Sequence, residues 1–247
     1  MKIYHVDSHR YAGRYDLSIE KEAFAKAGHD FFLMDCKTDE EVKARCADAD
    51  ALLAGGLKIG ADCINALPNL KLMVRYGVGF DVFDYDAATA KGVKICNIPH
   101  YCVPEVATHV VGLILACTRN IFAYTLNTRA NDYGVVKPGL LEMRRNSSQT
   151  VGIVGFGNIA RTVCQYLKDL SSISSRTTHI LTYRFLKKRI AEKVGLDELF
   201  KVSDIITLHA PLNAETEGIV NKDSFAKMKD KAVIVNKKEL GLSQGGL

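Results

Sequence analysis

The sequence predicts an α/β protein with two lobes, each built on a parallel sheet. Short β-rich apolar segments alternate with helix-like segments from the N-terminus onward. An irregular stretch at 127–149, rich in Gly, Pro, Asn, Ser and charge, interrupts the alternation, which restarts at 150. With 247 residues and an apolar fraction of 47%, the chain can fill the cores that such lobes require.

The elements of the first lobe follow from local periodicity and from the residues that end each segment. Beyond them, a long helix is predicted at 104–124, with Pro104 in its first turn, where a missing N–H costs nothing. It is apolar almost all round, so we expect it to be buried. The predicted strands are 2–6, 31–34, 51–53, 72–76 and 94–97, and the predicted helices are 18–27, 39–47, 62–67 and 85–91.

The second lobe repeats the pattern with one irregularity. A polar loop is predicted at 171–178, where a single Gly cap would normally turn the chain from helix to strand. The remaining predicted elements are strands at 150–154, 179–183, 205–208 and 232–235 and helices at 158–170, 186–193 and 222–228.

Composition excludes several classes of function. The net charge is +5, but the 33 basic residues are interspersed with 28 acidic ones, so nucleic-acid binding is not predicted. Seven cysteines without a C-x-x-C pair indicate reduced thiols and a cytoplasmic protein. The longest apolar run, 110–117, is too short for a membrane span, and the N-terminus lacks a signal-peptide pattern. His5 and His9 flank Asp7 without a third ligand, so no metal site is expected.

The segment VGIVGFGNIA at 151–160 predicts a dinucleotide-binding turn of the Rossmann type. Gly155 permits the tight turn after a strand, and Gly157 allows a pyrophosphate to approach the backbone. The amides of Asn158 and Ile159 begin a helix whose dipole favours anions. Ala160 stands where a third glycine is common. The alternative is a glycine-rich turn in a ligand-free α/β protein.

The second strand of such a unit usually ends in an acidic residue that binds the ribose, about 20 residues after the glycines. Here Arg184 follows the predicted strand, and Lys187, Lys188 and Arg189 are close by. This positive charge would accept a 2′-phosphate, so the cofactor is NAD or NADP, with NADP tolerated or preferred as a hypothesis. The alternative, of equal weight, is that these basic residues begin a helix and face solvent.

Four motifs resemble the D-2-hydroxyacid dehydrogenase family, which includes phosphoglycerate dehydrogenases. Besides the glycine turn, they are LKLMVRYGVGFD at 70–81, NIPHYCVPEVATH at 97–109 and SDIITLHAPLNAETEG at 203–218, followed by FAKMK at 225–229. The resemblance implies the N-terminal part of a substrate domain at 1–98 and an NAD(P)-binding domain at 99–247. It also implies interconversion of small 2-keto and 2-hydroxy acids with NAD(P), and a homodimer formed through the apolar helix from Pro104.

The resemblance also assigns binding residues. The amides of Val78 and Gly79 would hold the substrate carboxylate, with Arg75 nearby. A simple strand-ending turn is the alternative. The segment after the strand at 205–208 would border the cofactor through His209, Ala210, Pro211 and Thr216. For His209, a structural role is the stronger alternative to a chemical one.

The catalytic residues of the family have no counterparts here. Hydride transfer to a ketone needs an orienting cation, a proton donor and a group that tunes it, which the family supplies as Arg, His and Glu. After Asn236 the chain continues with Lys237, Lys238 and Glu239, and Glu239 replaces the arginine in an ungapped alignment. No catalytic residue is therefore assigned.

This abrupt departure from the family pattern suggests an early stop or an altered reading frame, and hence an incomplete C-terminal lobe of marginal stability. The alternative functions are a noncatalytic dinucleotide-binding or regulatory protein and an inactive truncated fragment.

Overall fold

A computed structural model describes residues 1–8, 16–79, 81–131, 143–170, 174–178, 192–237 and 240–242. The chain divides into two compact units, Met1–Tyr101 and Cys102–Leu247. Each unit contains a five-stranded sheet in which every strand pair is parallel, and in the described part of the chain most successive strands are joined by a helix. The predicted α/β class is therefore confirmed.

The first unit has the strand order β2-β1-β3-β4-β5, which changes direction between β1 and β3. One core cluster lies between the sheet and α2, α3 and α4, and a smaller one lies on the opposite face against α1. The strands are β1 Lys2–His5, β2 Asp30–Leu33, β3 Ala51–Ala54, β4 Leu72–Arg75 and β5 Lys94–Asn97; the helices are α1 Ser18–Lys26, α2 Asp39–Arg45, α3 Ala61–Ala66 and α4 Tyr85–Lys91.

Side chains fix the helix ends in this unit. Thr38 accepts a hydrogen bond from the Glu41 amide to begin α2, and Asp84 accepts one from the Ala87 amide to begin α4. Gly92, with φ +75°, ends α4 in the left-handed conformation. Lys91 Nζ donates to the carbonyls of Ile64, Asn65 and Leu67, so it satisfies the C-terminal end of α3.

The second unit has the strand order β10-β9-β6-β7-β8 and changes direction between β6 and β9. Helices α5 and α7 pack on one face of its sheet, and α8 packs on the other. The strands are β6 Thr150–Val154, β7 Ser174–Thr178, β8 Glu192–Lys193, β9 Ile205–Leu208 and β10 Val233–Asn236; the helices are α5 Val103–Thr118, α6 Ile121–Arg129, α7 Asn158–Leu170, α8 Leu196–Val202 and α9 Lys222–Lys227.

The single long helix predicted at 104–124 is wrong. It is two helices, α5 and α6, bent by 63° around Asn120, whose φ of 51° is left-handed. Residues of α5 are buried against the sheet, but α6 has no buried residue, and Phe122 is 73% exposed. Burial was therefore predicted correctly only for the first part of the segment.

The polar loop predicted at 171–178 is also wrong over 174–178. These residues form β7, which pairs in parallel with β6 on one side and with β8 on the other. The helix predicted at 186–193 is wrong at its end, since Glu192 and Lys193 form β8. Helix α8 was not predicted. The strand predicted at 179–183 and Arg184 lie outside the described residues.

In the described part of the chain, no single helix is both long and apolar enough to cross a bilayer; α5 and α6 reach that length and composition only when taken together as a bent pair. All seven cysteines are free thiols. Cys36, Cys46 and Cys63 are buried in the first unit, and burial raises the pKa of Cys46 to about 12 and that of Cys63 to about 11.

Candidate dinucleotide and carboxylate sites

The glycine turn after β6 is in direct contact with the segment that follows β9. Gly155 has φ +86°, and a Cβ on it would lie 2.7 Å from the Ala210 amide nitrogen and 3.0 Å from the His209 carbonyl carbon. The His209 amide donates to the Val154 carbonyl at 2.8 Å. Gly155 is therefore required twice over, by its backbone conformation and by the close approach of a neighbouring backbone.

Gly157 occupies a different environment. A Cβ built on it meets no atom within 4 Å, and the residue is exposed directly before α7, a helix of 13 residues. Asn158 and Ile159 form the first turn of this helix, where amides point out of the helix end toward an anion. The open space beside Gly157 and this oriented helix end fit the pyrophosphate of a dinucleotide.

Ala160 shows why the third glycine of the motif is dispensable here. It is fully buried in the cluster that joins α7 to β6, together with Val151, Ile153 and Val163. Only a small side chain suits such a close helix-to-strand contact, and a methyl group fills it.

The loop after β9 is stabilised from within by Thr216. This residue is fully buried; its hydroxyl donates to the Pro211 carbonyl at 2.5 Å and accepts from the Asn213 amide at 2.9 Å. The Asn213 side chain in turn accepts from the amides of Glu215 and Thr216. Thr216 therefore stabilises the loop that carries Pro211. The sequence pattern alone did not distinguish this structural role from a contact with the cofactor.

The other predicted residues of this loop have different exposures. Ala210 is fully buried under the glycine turn, Pro211 is exposed, and His209 is half-buried with its Nε2 3.1 Å from the Thr207 hydroxyl. The loop is also held by residues near the end of the chain: the Gly218 amide donates to the Gly241 carbonyl at 2.9 Å, and Leu242 is fully buried. Sequence analysis missed this contact. Glu239 lies outside the described residues.

A polar cluster centred on buried Asp204 lies at the amino end of β9, at the end of the second sheet away from the glycine turn. A cavity of about 330 Å³ opens beside it. Burial alone would raise its pKa, but hydrogen bonds from the Thr150 amide, Arg144 and Lys229 outweigh that effect and hold the pKa of Asp204 below its usual value. The cluster lies at the amino ends of the strands, away from the carboxyl ends where ligands bind in open α/β sheets.

In the first unit, the predicted carboxylate-binding turn follows β4 at the carboxyl edge of the sheet. Arg75 is half-buried and bends back over this turn: its Nη1 donates to the Tyr76 carbonyl at 2.7 Å and would lie 2.8 Å from a Cβ on Gly77. The Asp81 carboxylate lies equally close to Gly79, with Oδ1 2.9 Å from a Cβ built there. Both glycines thus allow side chains to approach the turn.

Asp7 anchors the neighbouring loop, a feature that sequence analysis did not find. Its fully buried carboxylate accepts hydrogen bonds from the three successive amides of Gly55, Gly56 and Leu57 at 2.8 to 3.0 Å. Such a run of amides is an anion-binding arrangement, and here the anion is supplied by the chain itself.

The structure therefore brings Gly155, Gly157, Asn158, Ile159 and the residues 209–211 to one region of the second unit. This region lies at the carboxyl edge of the sheet, where the strand order changes direction between β6 and β9. Val78 and Gly79 belong to the first unit. The fold and this edge define a dinucleotide-binding α/β protein.

Comparison with known proteins identifies the family. Residues 111–237 match the model of the D-isomer specific 2-hydroxyacid dehydrogenase, NAD binding domain. The hydroxypyruvate reductase of Thermotoga maritima is 35% identical over 201 residues, covering 80% of this chain and 63% of that protein. The D-3-phosphoglycerate dehydrogenase of Methanocaldococcus jannaschii is 33% identical over 218 residues, covering 85% of this chain and 39% of that protein.

A solved structure supports the same assignment. An acyclic imino acid reductase in complex with NADPH and D-Arg superposes with a TM-score of 0.84 at 26% identity, covering 98% of this chain and 76% of that one. The chain belongs to the D-isomer specific 2-hydroxyacid dehydrogenase family, and the predicted cofactor class, NAD or NADP, is confirmed. The chain spans less than two thirds of the length of the two curated relatives.

Proposed function

We propose that the protein is an NAD(P)-dependent oxidoreductase that interconverts a small 2-keto acid and the corresponding 2-hydroxy acid. The observation that carries this proposal is the open space beside Gly157 at the N-terminus of α7, next to the turn at which Gly155 allows the backbone of Ala210 to approach closely. This combination suits a pyrophosphate that must approach the backbone closely.

In the proposed site, the second unit binds the cofactor. The amides of Asn158 and Ile159 hold the pyrophosphate, and the loop that begins with His209 and Pro211 borders the rest of the cofactor. Thr216 acts indirectly by fixing that loop. When bound, NADH or NADPH supplies the hydride.

The first unit, in this proposal, binds the acid. The amides of Val78 and Gly79 donate to the substrate carboxylate, and the guanidinium of Arg75 adds positive charge beside the same turn. The domain roles implied by the resemblance, with substrate bound by the first lobe and cofactor by the second, are part of the same proposal.

Dinucleotide binding without turnover is the second candidate function. The observation that favours it is the acidic residue Glu239, which stands where the family resemblance calls for a substrate-binding arginine. A carboxylate at this position would repel the carboxylate of a 2-keto acid.

The test combines binding and turnover. NADH and NADPH are titrated by fluorescence into the wild type, Gly157→Ala and Gly112→Ala; the last adds a methyl group at an exposed position of α5 where a Cβ also meets no atom within 4 Å. We expect Gly157→Ala to lose about tenfold or more in affinity, because the methyl group occupies the space left for pyrophosphate, and Gly112→Ala to bind as the wild type does.

Turnover is then measured with pyruvate, glyoxylate and hydroxypyruvate in the presence of each cofactor. Oxidation of the cofactor establishes the dehydrogenase, and binding without oxidation establishes the second candidate. If neither cofactor binds the wild type, both proposals are refuted. The ratio of the two dissociation constants decides between NAD and NADP.

A further inference from the structure

Two successive carbonyls of the Gly77–Gly79 turn are held from the same side. The Ile98 amide donates to the Gly77 carbonyl at 3.0 Å, and the Asn97 side-chain amide donates to the Val78 carbonyl at 2.7 Å. Asn97 is the last residue of β5, which is the strand paired with β4, so both donors approach from the neighbouring strand end.

The orientation of a carbonyl determines that of the amide in the same peptide. In a trans peptide, the C=O of one residue and the N–H of the next point in opposite directions. Holding the carbonyls of Gly77 and Val78 toward the end of β5 therefore directs the amides of Val78 and Gly79 away from it. Among the described residues, neither of these two amides has a hydrogen-bond acceptor within the chain.

Only one of the two peptides depends on a side chain. The Gly77–Val78 peptide is held by a backbone amide, which every residue except proline supplies at position 98. The Val78–Gly79 peptide is held by the Asn97 side chain, and it is followed by a glycine, whose backbone tolerates conformations on both sides of φ = 0. Without Asn97, this peptide has little to prevent it from turning over.

We propose that Asn97 is a positioning residue that keeps the Gly79 amide directed toward the carboxylate of the bound acid. The proposal rests on the proposed function, in which this turn binds that carboxylate. It adds a requirement for a side-chain donor at the end of β5, because an acceptor of the same shape would repel the Val78 carbonyl instead of holding it.

The first experiment examines the orientation of the peptide in the protein without any ligand. Asn97→Asp preserves the shape of the side chain but removes its donor, and Asn69→Asp is the matched control, because Asn69 is exposed before β4, at the opposite edge of the sheet. We expect the Gly79 resonance in a ¹H–¹⁵N spectrum to shift strongly in Asn97→Asp and to remain unchanged in Asn69→Asp. An unchanged Gly79 resonance in Asn97→Asp would overturn the proposal.

The second experiment measures binding of oxamate, an unreactive analogue of a 2-keto acid, in the presence of saturating NADH. We expect Asn97→Asp and Asn97→Ala to weaken oxamate binding by about tenfold or more, the loss expected for one hydrogen bond to a charged group, while NADH affinity is unchanged. The Ala variant controls for the added charge. Oxamate binding that stays equal to wild type in both variants would overturn the proposal.

Failure of the proposed function and failure of the role proposed for Asn97 give different results in these experiments. If the wild type binds NADH but no oxamate, the proposed substrate is wrong, while the Gly79 resonance still decides whether Asn97 orients the peptide. If the wild type binds oxamate and only the Asn97 variants lose it, with a shifted Gly79 resonance in the ligand-free protein, Asn97 acts through the turn. An affinity loss without that shift would overturn the positioning role in favour of direct contact with the acid.

Discussion

Replacing Gly155 by alanine is expected to destabilise the second unit more than replacing Gly157 by alanine. At φ +86° the new Cβ would lie in a backbone conformation that side chains rarely adopt. It would also lie 2.7 Å from the Ala210 amide nitrogen and 2.9 Å from its Cα, both closer than real Cβ contacts. The obstacle is backbone, so no rotamer change relieves it.

Two contributions set the magnitude. A non-glycine residue in the left-handed region costs about 1–2 kcal/mol. Forcing an extra methyl group into a packed site costs about 1–3 kcal/mol, because the loop after β9 must move away. The sum, about 2–5 kcal/mol, is a large part of the roughly 5–15 kcal/mol by which domains are typically stable.

The assay is urea denaturation followed by circular dichroism, with Gly92→Ala and Gly157→Ala as controls. Gly92 has φ +75° but nothing within 4 Å of its Cβ position, so its variant shows the cost of the backbone conformation alone. Gly157→Ala adds a methyl group in open space and should cost about 1 kcal/mol or less, the difference between Gly and Ala at a helix N-cap. A Gly155→Ala variant no less stable than Gly92→Ala would refute the close approach of Ala210.

Three further changes test other contacts. Asp204→Asn should lower stability at neutral pH; because the folded pKa of Asp204 is depressed, its contribution is present above the unfolded value of about 3.9 and is lost as pH falls through the folded pKa, so the variant's stability should vary less with acid pH in urea melts. Lys91→Met should cost about 1–3 kcal/mol in the same assay, because it leaves the carbonyls at the end of α3 without their donor, whereas Lys94→Met at an exposed position should cost little. Leu242→Ala should cost about 2–5 kcal/mol and weaken NADH binding, because Leu242 is fully buried behind the loop after β9; unchanged melts would show that this segment is not packed there.

Elements defined by local signals were predictable from the sequence. Helix α4 and strand β5 have the bounds that the sequence predicts, since Asp84 caps the helix and Gly92 ends it within a short, strongly patterned segment. The glycine turn is equally local, because its strand, glycines and helix are contiguous. Parallel pairing then follows from alternation, and it places these elements at one sheet edge.

The sequence predictions were wrong where residues far away in the chain determine the local structure. Ser174–Thr178 lacks an apolar pattern, yet its backbone forms a strand because β6 and β8 supply hydrogen bonds on both sides. Asn120 can occur within a helix, so its residue type alone does not predict the break between α5 and α6. The break depends on the left-handed backbone of Asn120 and on the sheet, which covers only α5. The bonds from Asp7 to the loop at 55–57 span almost fifty residues, so no local pattern predicts them.

Gly155 and Gly157 belong to the same motif, but glycine is needed at the two positions for different reasons. Gly155 is required by the protein itself, since Ala210 fills the space beside it. Gly157 has empty space beside it, so the folded chain alone gives no reason for a glycine there. A dinucleotide whose pyrophosphate approaches the backbone closely does require a glycine there. We therefore expect a variant that keeps Gly155 and lacks Gly157 to fold as the wild type does and to bind the dinucleotide more weakly.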